Sequence, residues 1–207
     1  MNIKVFTYPN TFELYANTYV LSDDEGNAVV VDPGKDDKEV LNYISSNNLR
    51  LKGVLLTHGH FDHTRGVDLL NADVFIHEKD EPLLRNSHLN CSDRFSRHDV
   101  VVKSKAQSIK DGDVLNLLSE PIAVIHTPFH TEGSVCFYLK DSRVLFSGDT
   151  LFQYSIGRSD FVTSNPSLID SSLEKLMKLP DEVVVYPGHG GMTTIGQERK
   201  LNPFVKR

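Results

Sequence analysis

The chain is organised around the segment Thr57-His58-Gly59-His60-Phe61-Asp62-His63. An apolar run at 53–56 precedes it, so the pattern predicts a β-strand that ends where the histidines begin. His58 and His60 stand two positions apart, and in extended backbone such side chains point to the same side. Asp62 and His63 follow where the chain must turn. Imidazole and carboxylate groups together are typical ligands of zinc, iron or manganese, and the segment therefore predicts a metal site.

Length and charge limit what kind of protein this can be. The 207 residues fit one globular domain, which we assign to residues 1–207. The formal net charge of −6 argues against a nucleic-acid partner, because binding phosphates requires a clustered positive surface. No apolar run approaches the ~20 residues of a membrane-spanning helix, and the first residues do not resemble a secretion signal. We therefore expect a cytoplasmic protein with no membrane partner, either a monomer or a homodimer.

Predicted strands outnumber predicted helices. Strands are expected at 19–21, 28–31, 51–56, 74–76, 122–125, 135–139, 144–146 and 183–186, with short strands on either side of a turn at 110–113. Helices are expected at 36–48, 64–70, 78–85 and 166–179, with a short one within 195–204. The segment 86–107 has no clear period, which is typical of a lid or a surface insertion. Two packed sheets with helices outside fit this order.

Three later strands each lead into a histidine or an aspartate in a loop rich in glycine or proline. The strand at 122–125 precedes His130, the strand at 144–146 precedes Asp149, and the strand at 183–186 precedes His189. Loops at strand ends are where a rigid scaffold commonly presents ligands. Together with the first segment they give seven candidate metal ligands: His58, His60, Asp62, His63, His130, Asp149 and His189.

Seven ligands are too many for one catalytic ion, which usually takes about three protein ligands and a water. They suit two ions that share one carboxylate. We therefore predict two divalent metal ions, with zinc as the first expectation and iron or manganese as alternatives. The other histidines, His77, His88, His98 and His126, have no such company and are interpreted as surface or structural residues. Asp32 could orient a ligand histidine or simply begin an Asp-Pro-Gly turn, and the sequence leaves both open.

Four motifs, in this order and spacing, resemble those of the metallo-β-lactamase superfamily. They are the segment at 57–63, Thr-Pro-Phe-His-Thr-Glu-Gly-Ser at 127–134, Gly-Asp-Thr-Leu-Phe at 148–152 and Pro-Gly-His-Gly at 187–190. The chain most resembles the glyoxalase II (hydroxyacylglutathione hydrolase) branch in its short bacterial form, from Asn17 to Phe204. The resemblance implies an αββα sandwich, with two facing mixed β-sheets, helices on the outer faces and metals at one edge.

The resemblance also implies roles for the candidate residues. By position, His58, His60 and His130 would hold one ion, Asp62, His63 and His189 would hold the second, and Asp149 would bridge them. Asp62 and Asp149 would thereby also be catalytic. The implied activity is metal-dependent hydrolysis of a thioester or related acyl bond by a hydroxide that bridges the two metals. The implied partner is a small-molecule thioester, with a glutathione conjugate as one candidate, whose carboxylate Arg158 would bind.

The chain departs from the family pattern in two ways. Phe129 stands where the family usually has glycine, and a bulky residue with positive φ is costly, so the loop before His130 is expected to be remodelled. We also expect no counterpart of the helical domain with which full-length glyoxalase II binds glutathione, and this leaves glutathione recognition open. The cysteine ligand typical of many β-lactamases has no counterpart in the motifs, which argues against antibiotic hydrolysis.

The main alternative on the same fold is a persulfide dioxygenase, which resembles this chain around Gly157-Arg158-Ser159-Asp160. That family uses one iron, held at the positions of His58, His130 and Asp149. A nuclease of the superfamily is disfavoured by the acidic charge. A non-catalytic metal-binding protein is disfavoured because the ligand set is complete.

Overall fold

The computed structural model describes residues 1–8 and 13–206, and within these ranges it contains two six-stranded sheets. The first sheet consists of β1 (Asn2–Phe6), β2 (Thr18–Ser22), β3 (Asn27–Val31), β4 (Arg50–Leu55), β5 (Val74–His77) and β6 (Ala106–Ile109), side by side in this order. The second sheet consists of β7 (Val114–Leu115), β8 (Ile122–His126), β9 (Val135–Leu139), β10 (Val144–Gly148), β11 (Val184–Pro187) and β12 (Thr193–Thr194), again side by side.

Short helices connect and cover the strands. The α-helices are α1 (Glu39–Ser46), α2 (Phe61–Thr64), α3 (Val67–Leu70), α4 (Ser92–Phe95), α5 (Ile169–Leu176) and α6 (Ile195–Leu201). Two 3₁₀ segments lie at Glu81–Arg85 and Pro166–Leu168. Among the described residues, no helix is long and apolar enough to cross a lipid bilayer.

Both sheets mix parallel and antiparallel pairs. In the first sheet β1, β2 and β3 pair antiparallel, whereas β3 to β6 pair parallel. In the second sheet β7 to β10 pair antiparallel, β11 is parallel to β10, and β12 is antiparallel to β11. It follows that β8, β10 and β11 all run in one direction, so their carboxyl ends reach the same edge of the sheet.

The central strands β2, β3, β9 and β10 are buried on both faces, so the alternation of their side chains supplies two apolar layers. In β3, Val29 and Val31 face the second sheet and pack in the cluster that contains Phe137 and Phe146. Ala28 lies on the opposite face of the same strand, in the outer apolar layer of the first sheet. The apolar pattern therefore makes a sheet-on-sheet core and leaves each outer face to be covered.

Helices cover those outer faces. Val40 and Ile44 of α1 pack on the outer face of the first sheet. Leu173 and Leu176 of α5 pack on the outer face of the second, against residues such as Leu145. The predicted αββα sandwich with two facing mixed sheets is confirmed.

The predicted elements are present, but several helices are shorter than their patterns suggested. The helix expected at 64–70 is divided into α2 and α3. At the division the amide of Gly66 donates to the carbonyl of Pro33 over 2.7 Å, and a Cβ at Gly66 would lie 2.9 Å from that oxygen. This close backbone contact fixes the chain there and interrupts the helix. The 86–107 segment is largely irregular, as expected, apart from α4 and the first residues of β6.

His77 and His126 form a stacked pair away from the predicted metal site. Their ring centroids are 4.1 Å apart and the rings are inclined by 11°. His126 Nε2 lies 2.9 Å from the carbonyl oxygen of Glu132, so it carries the proton and donates. Burial, helped by the charge of His126, lowers the pKa of His77 to about 4. Their interpretation as structural residues fits these contacts.

The stacked pair predicts a pH dependence of stability. Because the pKa of His77 is lower in the folded chain than its ordinary value of 6.5, the unfolded chain binds the proton more readily. Stability contributed by the neutral ring is complete above pH 6.5 and is lost as pH falls toward 4. Between pH 7 and pH 5 we expect the unfolding free energy of the wild type to fall by about 1–2 kcal/mol more than that of His77→Gln. Urea unfolding of both proteins checks this, with the exposed His98→Gln as control, and identical pH profiles would contradict it.

Candidate metal centre

Strand ends deliver the candidate ligands to one place. In the first sheet β4 ends at Leu55, and the following loop and α2 carry the segment 57–63. In the second sheet the loops after β8, β10 and β11 carry His130, Asp149 and His189. Because these three strands are parallel to one another, their loops meet at one edge of the sandwich, beside the loop from the first sheet.

All seven predicted ligands converge at this edge. Three groups can be drawn in which the ligand atoms lie within 4.8 Å of one another: His58, His60 and His130; His58, His63 and Asp149; Asp62, His63 and His189. Asp149 lies between the first of these groups and the third. Its Oδ1 is 3.3 Å from His63 Nε2, and its Oδ2 is 3.5 Å from His130 Nε2. The prediction that distant strand ends would bring these side chains together is confirmed.

Several of these atoms are buried without a hydrogen-bond partner in the described part of the chain. They are His58 Nε2, His60 Nε2, His63 Nε2 and Asp149 Oδ1, of which the last two lie 3.3 Å apart as an ion pair but are not aligned as a hydrogen bond. A buried polar atom without a partner is destabilising by roughly 1–3 kcal/mol, so four of them in contact require an explanation. Nitrogen and oxygen donors converging in this way are the ligand set of a divalent transition metal. The residues present therefore fit a metal site.

The electrostatics prepare the side chains as ligands. Burial, followed by the charges of neighbouring imidazoles, lowers the pKa of His58 far below its usual value and that of His60 to about 3. Burial alone would raise the pKa of Asp149, but His189 and His63 outweigh it and hold that pKa well below its usual range. At neutral pH these imidazoles keep free lone pairs and the carboxylate stays charged, as metal binding requires.

The family model described as Metallo-beta-lactamase superfamily matches residues 11–189. This chain belongs to that superfamily. An uncharacterized protein of Mycobacterium leprae is 42% identical over 208 residues, covering 93% of this chain and 94% of that protein. The probable metallo-hydrolase YqgX of Bacillus subtilis is 35% identical and covers 93% of both. Hydroxyacylglutathione hydrolase GloC of Haemophilus influenzae is 35% identical over 212 residues, covering 99% of this chain and 98% of GloC.

Solved structures of the same superfamily superpose closely on this chain. BLEG-1 B3 metallo-beta-lactamase gives a TM-score of 0.91 at 35% identity, with both chains fully covered. TTHA1623, solved in a di-iron-bound form, gives 0.80 at 34% identity and covers 93% of this chain and 96% of its own. ETHE1 from Myxococcus xanthus gives 0.76 at 28% identity, covering 98% of this chain and 84% of its own.

Asp32, whose role the sequence left open, contacts His63, one of the predicted ligands. Its Oδ2 accepts hydrogen bonds from His63 Nδ1 over 2.9 Å and from Thr57 Oγ1 over 2.7 Å, and its Oδ1 accepts from the Thr57 amide. The bond to Asp32 keeps one proton on His63 Nδ1, so Nε2 is the nitrogen that faces the cluster. Burial would lower the pKa of His63, but the carboxylates of Asp32, Asp149 and Asp62 raise it well above its usual value, so a metal at Nε2 would displace a proton. Asp32 also has φ of +50°, so it both turns the chain and orients the histidine.

A backbone carbonyl orients His130 in the same way. His130 Nδ1 donates to the carbonyl oxygen of Arg158 over 2.7 Å. The Arg158 guanidinium forms a two-pronged ion pair with Asp160, over 2.9 and 2.8 Å, and lies 4.6 Å from the centre of the Phe161 ring. The backbone of Arg158 thus belongs to the site, while substrate binding by its side chain stays a prediction.

A cleft of about 440 Å³ opens onto the cluster. Beside the ligands and Arg158, its walls are largely apolar and include Leu14, Phe61, Phe95, Phe152, Ile156 and Phe161. Phe161 packs edge-on against the rings of His60 and His130, with centroids 5.1 and 5.7 Å away. One side of the site therefore faces a cleft with mostly apolar walls.

Phe129 fits without the strain expected at this position. It is not among the described residues with positive φ, and its side chain is completely buried. Its carbonyl accepts a hydrogen bond from the Asn165 amide over 2.8 Å. The residue that replaces the usual glycine therefore packs as a core side chain directly before His130.

Asp80 was missed by the sequence reading. It is buried and accepts hydrogen bonds from the amides of Gly59 and Gly133 and from the hydroxyl of Thr131. The available signal was an aspartate shortly after a strand, the same pattern that marked Asp149. The sequence pattern instead predicts a helix at 78–85 that would include Asp80, and of this helix the structure forms only the 3₁₀ segment Glu81–Arg85.

Removing the charge of Asp32 is expected to weaken metal binding. The amide of Asp32→Asn has only one acceptor oxygen, so its NH2 group must face either the Thr57 amide or the pair of donors His63 Nδ1 and Thr57 Oγ1. We expect an affinity loss of about 10–100-fold for one ion, measured by competition with a zinc chelator. Asp23→Asn is the matched control, because Asp23 is also buried and also accepts from backbone amides, at the opposite end of β3. Equal metal affinities for both variants would contradict the role.

Proposed function

We propose that this protein is a metal-dependent hydrolase that cleaves a thioester, as hydroxyacylglutathione hydrolases do. The observation that carries the proposal is the convergence of seven ligand side chains, five of them buried and two half-buried, into overlapping groups beside an apolar cleft. The 35% identity to GloC of Haemophilus influenzae over nearly the full length of both chains supports it.

Two divalent ions fit the groups, with zinc as the first choice and iron or manganese as alternatives. His58, His60 and His130 would hold one ion, Asp62, His63 and His189 the other, and Asp149 would reach both. When bound, such ions lower the pKa of a coordinated water toward ~7 and polarise the carbonyl that is attacked.

The side chains of this chain supply the remaining requirements. Asp62 and Asp149 stay ionised, because neighbouring histidines hold their pKa values below the usual range although burial opposes this. Either carboxylate can accept a hydrogen bond from the attacking water and so orient it. A thiolate leaves without being protonated, so the reaction needs no dedicated general acid. Arg158, at the mouth of the cleft, would contact a carboxylate of the substrate.

Two other activities have specific support from structural neighbours. The similarity to ETHE1 from Myxococcus xanthus keeps a persulfide dioxygenase with one iron as the main alternative. The superposition on BLEG-1, whose description is a B3 metallo-beta-lactamase, brings β-lactam hydrolysis back as a candidate. The sequence argued against it from a missing cysteine, but a likeness this close justifies including a β-lactam among the substrates tested.

One set of measurements separates these activities. We expect purified protein to contain about two metal ions per chain by elemental analysis and to hydrolyse S-lactoylglutathione or a simple thioester. A chelator should abolish the turnover and zinc should restore it. One bound iron with oxygen consumption on a persulfide would instead establish the dioxygenase, and preferential cleavage of a chromogenic cephalosporin would establish the β-lactamase.

Replacing a single ligand is expected to remove activity while leaving the fold. His60→Ala should lower kcat/KM for the thioester by roughly 10³-fold or more, because the ion it helps to hold stabilises the transition state. The circular dichroism spectrum should stay close to that of the wild type, since the ring faces the cleft and not the core between the sheets. His98→Ala, at an exposed position outside the cluster, should retain full activity. Wild-type turnover by His60→Ala would show that the cluster is not the catalytic centre.

A further inference from the structure

Asp80 accepts hydrogen bonds from the two loops that carry His58, His60 and His130, although it binds no ligand side chain itself. Its Oδ2 accepts from the Gly59 amide over 2.8 Å and from Thr131 Oγ1 over 2.7 Å, and its Oδ1 accepts from the Gly133 amide over 2.8 Å. The residue is 1% exposed. Hydrogen bonds to a buried carboxylate are about twice as strong as neutral ones, so these contacts fix the two loops firmly.

The two loops come from different sheets. Gly59 lies between His58 and His60, in the loop after β4 of the first sheet. Thr131 follows His130 directly, in the loop after β8 of the second sheet. One carboxylate therefore joins the backbones on both sides of the group His58, His60 and His130, whose ligand atoms lie within 4.8 Å of one another.

The backbones of both loops lie very close to Asp80. A Cβ added at Gly133 would lie 2.5 Å from Asp80 Oδ1, and one added at Gly59 would lie 2.9 Å from the Asp80 carbonyl oxygen. Both loops approach Asp80 through bare backbone, which is why they can come so close. A small change at Asp80 must therefore move the loops themselves.

We propose that Asp80 is a positioning residue that sets the metal affinity of the His58, His60 and His130 group, acting through Gly59 and Thr131. Within the described ranges, Asp80 forms no hydrogen bond with Asp62, His63 or His189. His63 is oriented by Asp32 instead. Asp80 therefore contacts only the loops of the His58, His60 and His130 group, whereas Asp32 contacts His63 and also Thr57 at the start of the first loop. This inference rests on the metal cluster of the proposed function but on no particular substrate.

The test compares zinc binding in Asp80→Asn and in the wild type, with zinc alone as the probe. The amide must turn a donor toward at least one of the three donors that the carboxylate accepts from. At a chelator concentration where the wild type keeps two ions, we expect the variant to keep one, with about 10–100-fold weaker affinity for the ion it loses. The cobalt-loaded variant should also show an altered visible absorption spectrum, since the geometry of one ion changes.

Glu120→Gln is the matched control. Glu120 is another buried carboxylate that accepts hydrogen bonds from a loop, namely from the amides of Asp141 and Ser142 and from the Ser142 hydroxyl. That loop precedes β10, whereas Asp149 follows it, so Glu120 lies at the other end of the strand from the metal centre. This control should lower the melting temperature without changing zinc affinity or the cobalt spectrum.

A second pair of variants covers the case in which Asp80→Asn does not fold. Thr131→Val removes one donor to Asp80 and should weaken binding of the same ion, whereas Thr131→Ser keeps the hydroxyl and should bind zinc as the wild type does.

Wild-type zinc affinity in Asp80→Asn or Thr131→Val, or an equal loss in Glu120→Gln, would overturn the proposal. So would a wild type that binds no zinc. A protein that shows the metal effect but cleaves no thioester would refute the proposed substrate and leave the role of Asp80 standing.

Discussion

The dehydration of the ligand cluster is the constraint on which the rest of the structure depends. Imidazole nitrogens and carboxylate oxygens are crowded together away from water, and several of them have no hydrogen-bond partner in the described residues. Such an arrangement is unfavourable unless cations occupy the space between the ligands. The chain must therefore hold these groups in place by other means, and most of the contacts behind the cluster serve that purpose.

The sandwich provides this support through its strands. β8, β10 and β11 are parallel within the second sheet, and their apolar side chains are fixed on both faces, so the short loops at their ends have little freedom. Hydrogen bonds then orient individual rings. Asp32 orients His63 through its Nδ1, and the carbonyl of Arg158 does the same for His130. Scaffold and hydrogen bonds together make the site rigid before any ion binds.

The ligand set does not decide which reaction the site performs. GloC and BLEG-1 both resemble this chain over most of its length, yet their names point to different activities, a hydroxyacylglutathione hydrolase and a B3 metallo-beta-lactamase. Specificity must then come from the walls of the cleft. Here those walls are mostly aromatic, and the guanidinium of Arg158 is paired with Asp160 at the surface. An exposed ion pair of this kind is weak, so a substrate carboxylate can compete with Asp160 for the arginine.

The sequence alone determined that two sheets pack together and which seven residues converge, because both follow from local patterns: apolar strand runs, turn residues and, in the loop after each of four strands, a histidine or an aspartate. The αββα arrangement was implied by the family resemblance. Tertiary structure alone decided the role of Asp32, the packing of Phe129 without strain, and the break between α2 and α3 at Gly66. It also revealed Asp80, whose partner Thr131 is 51 positions away along the chain. Each of these depends on a contact between segments distant in sequence, and no local pattern specifies which backbone a buried carboxylate will meet once the two sheets have packed.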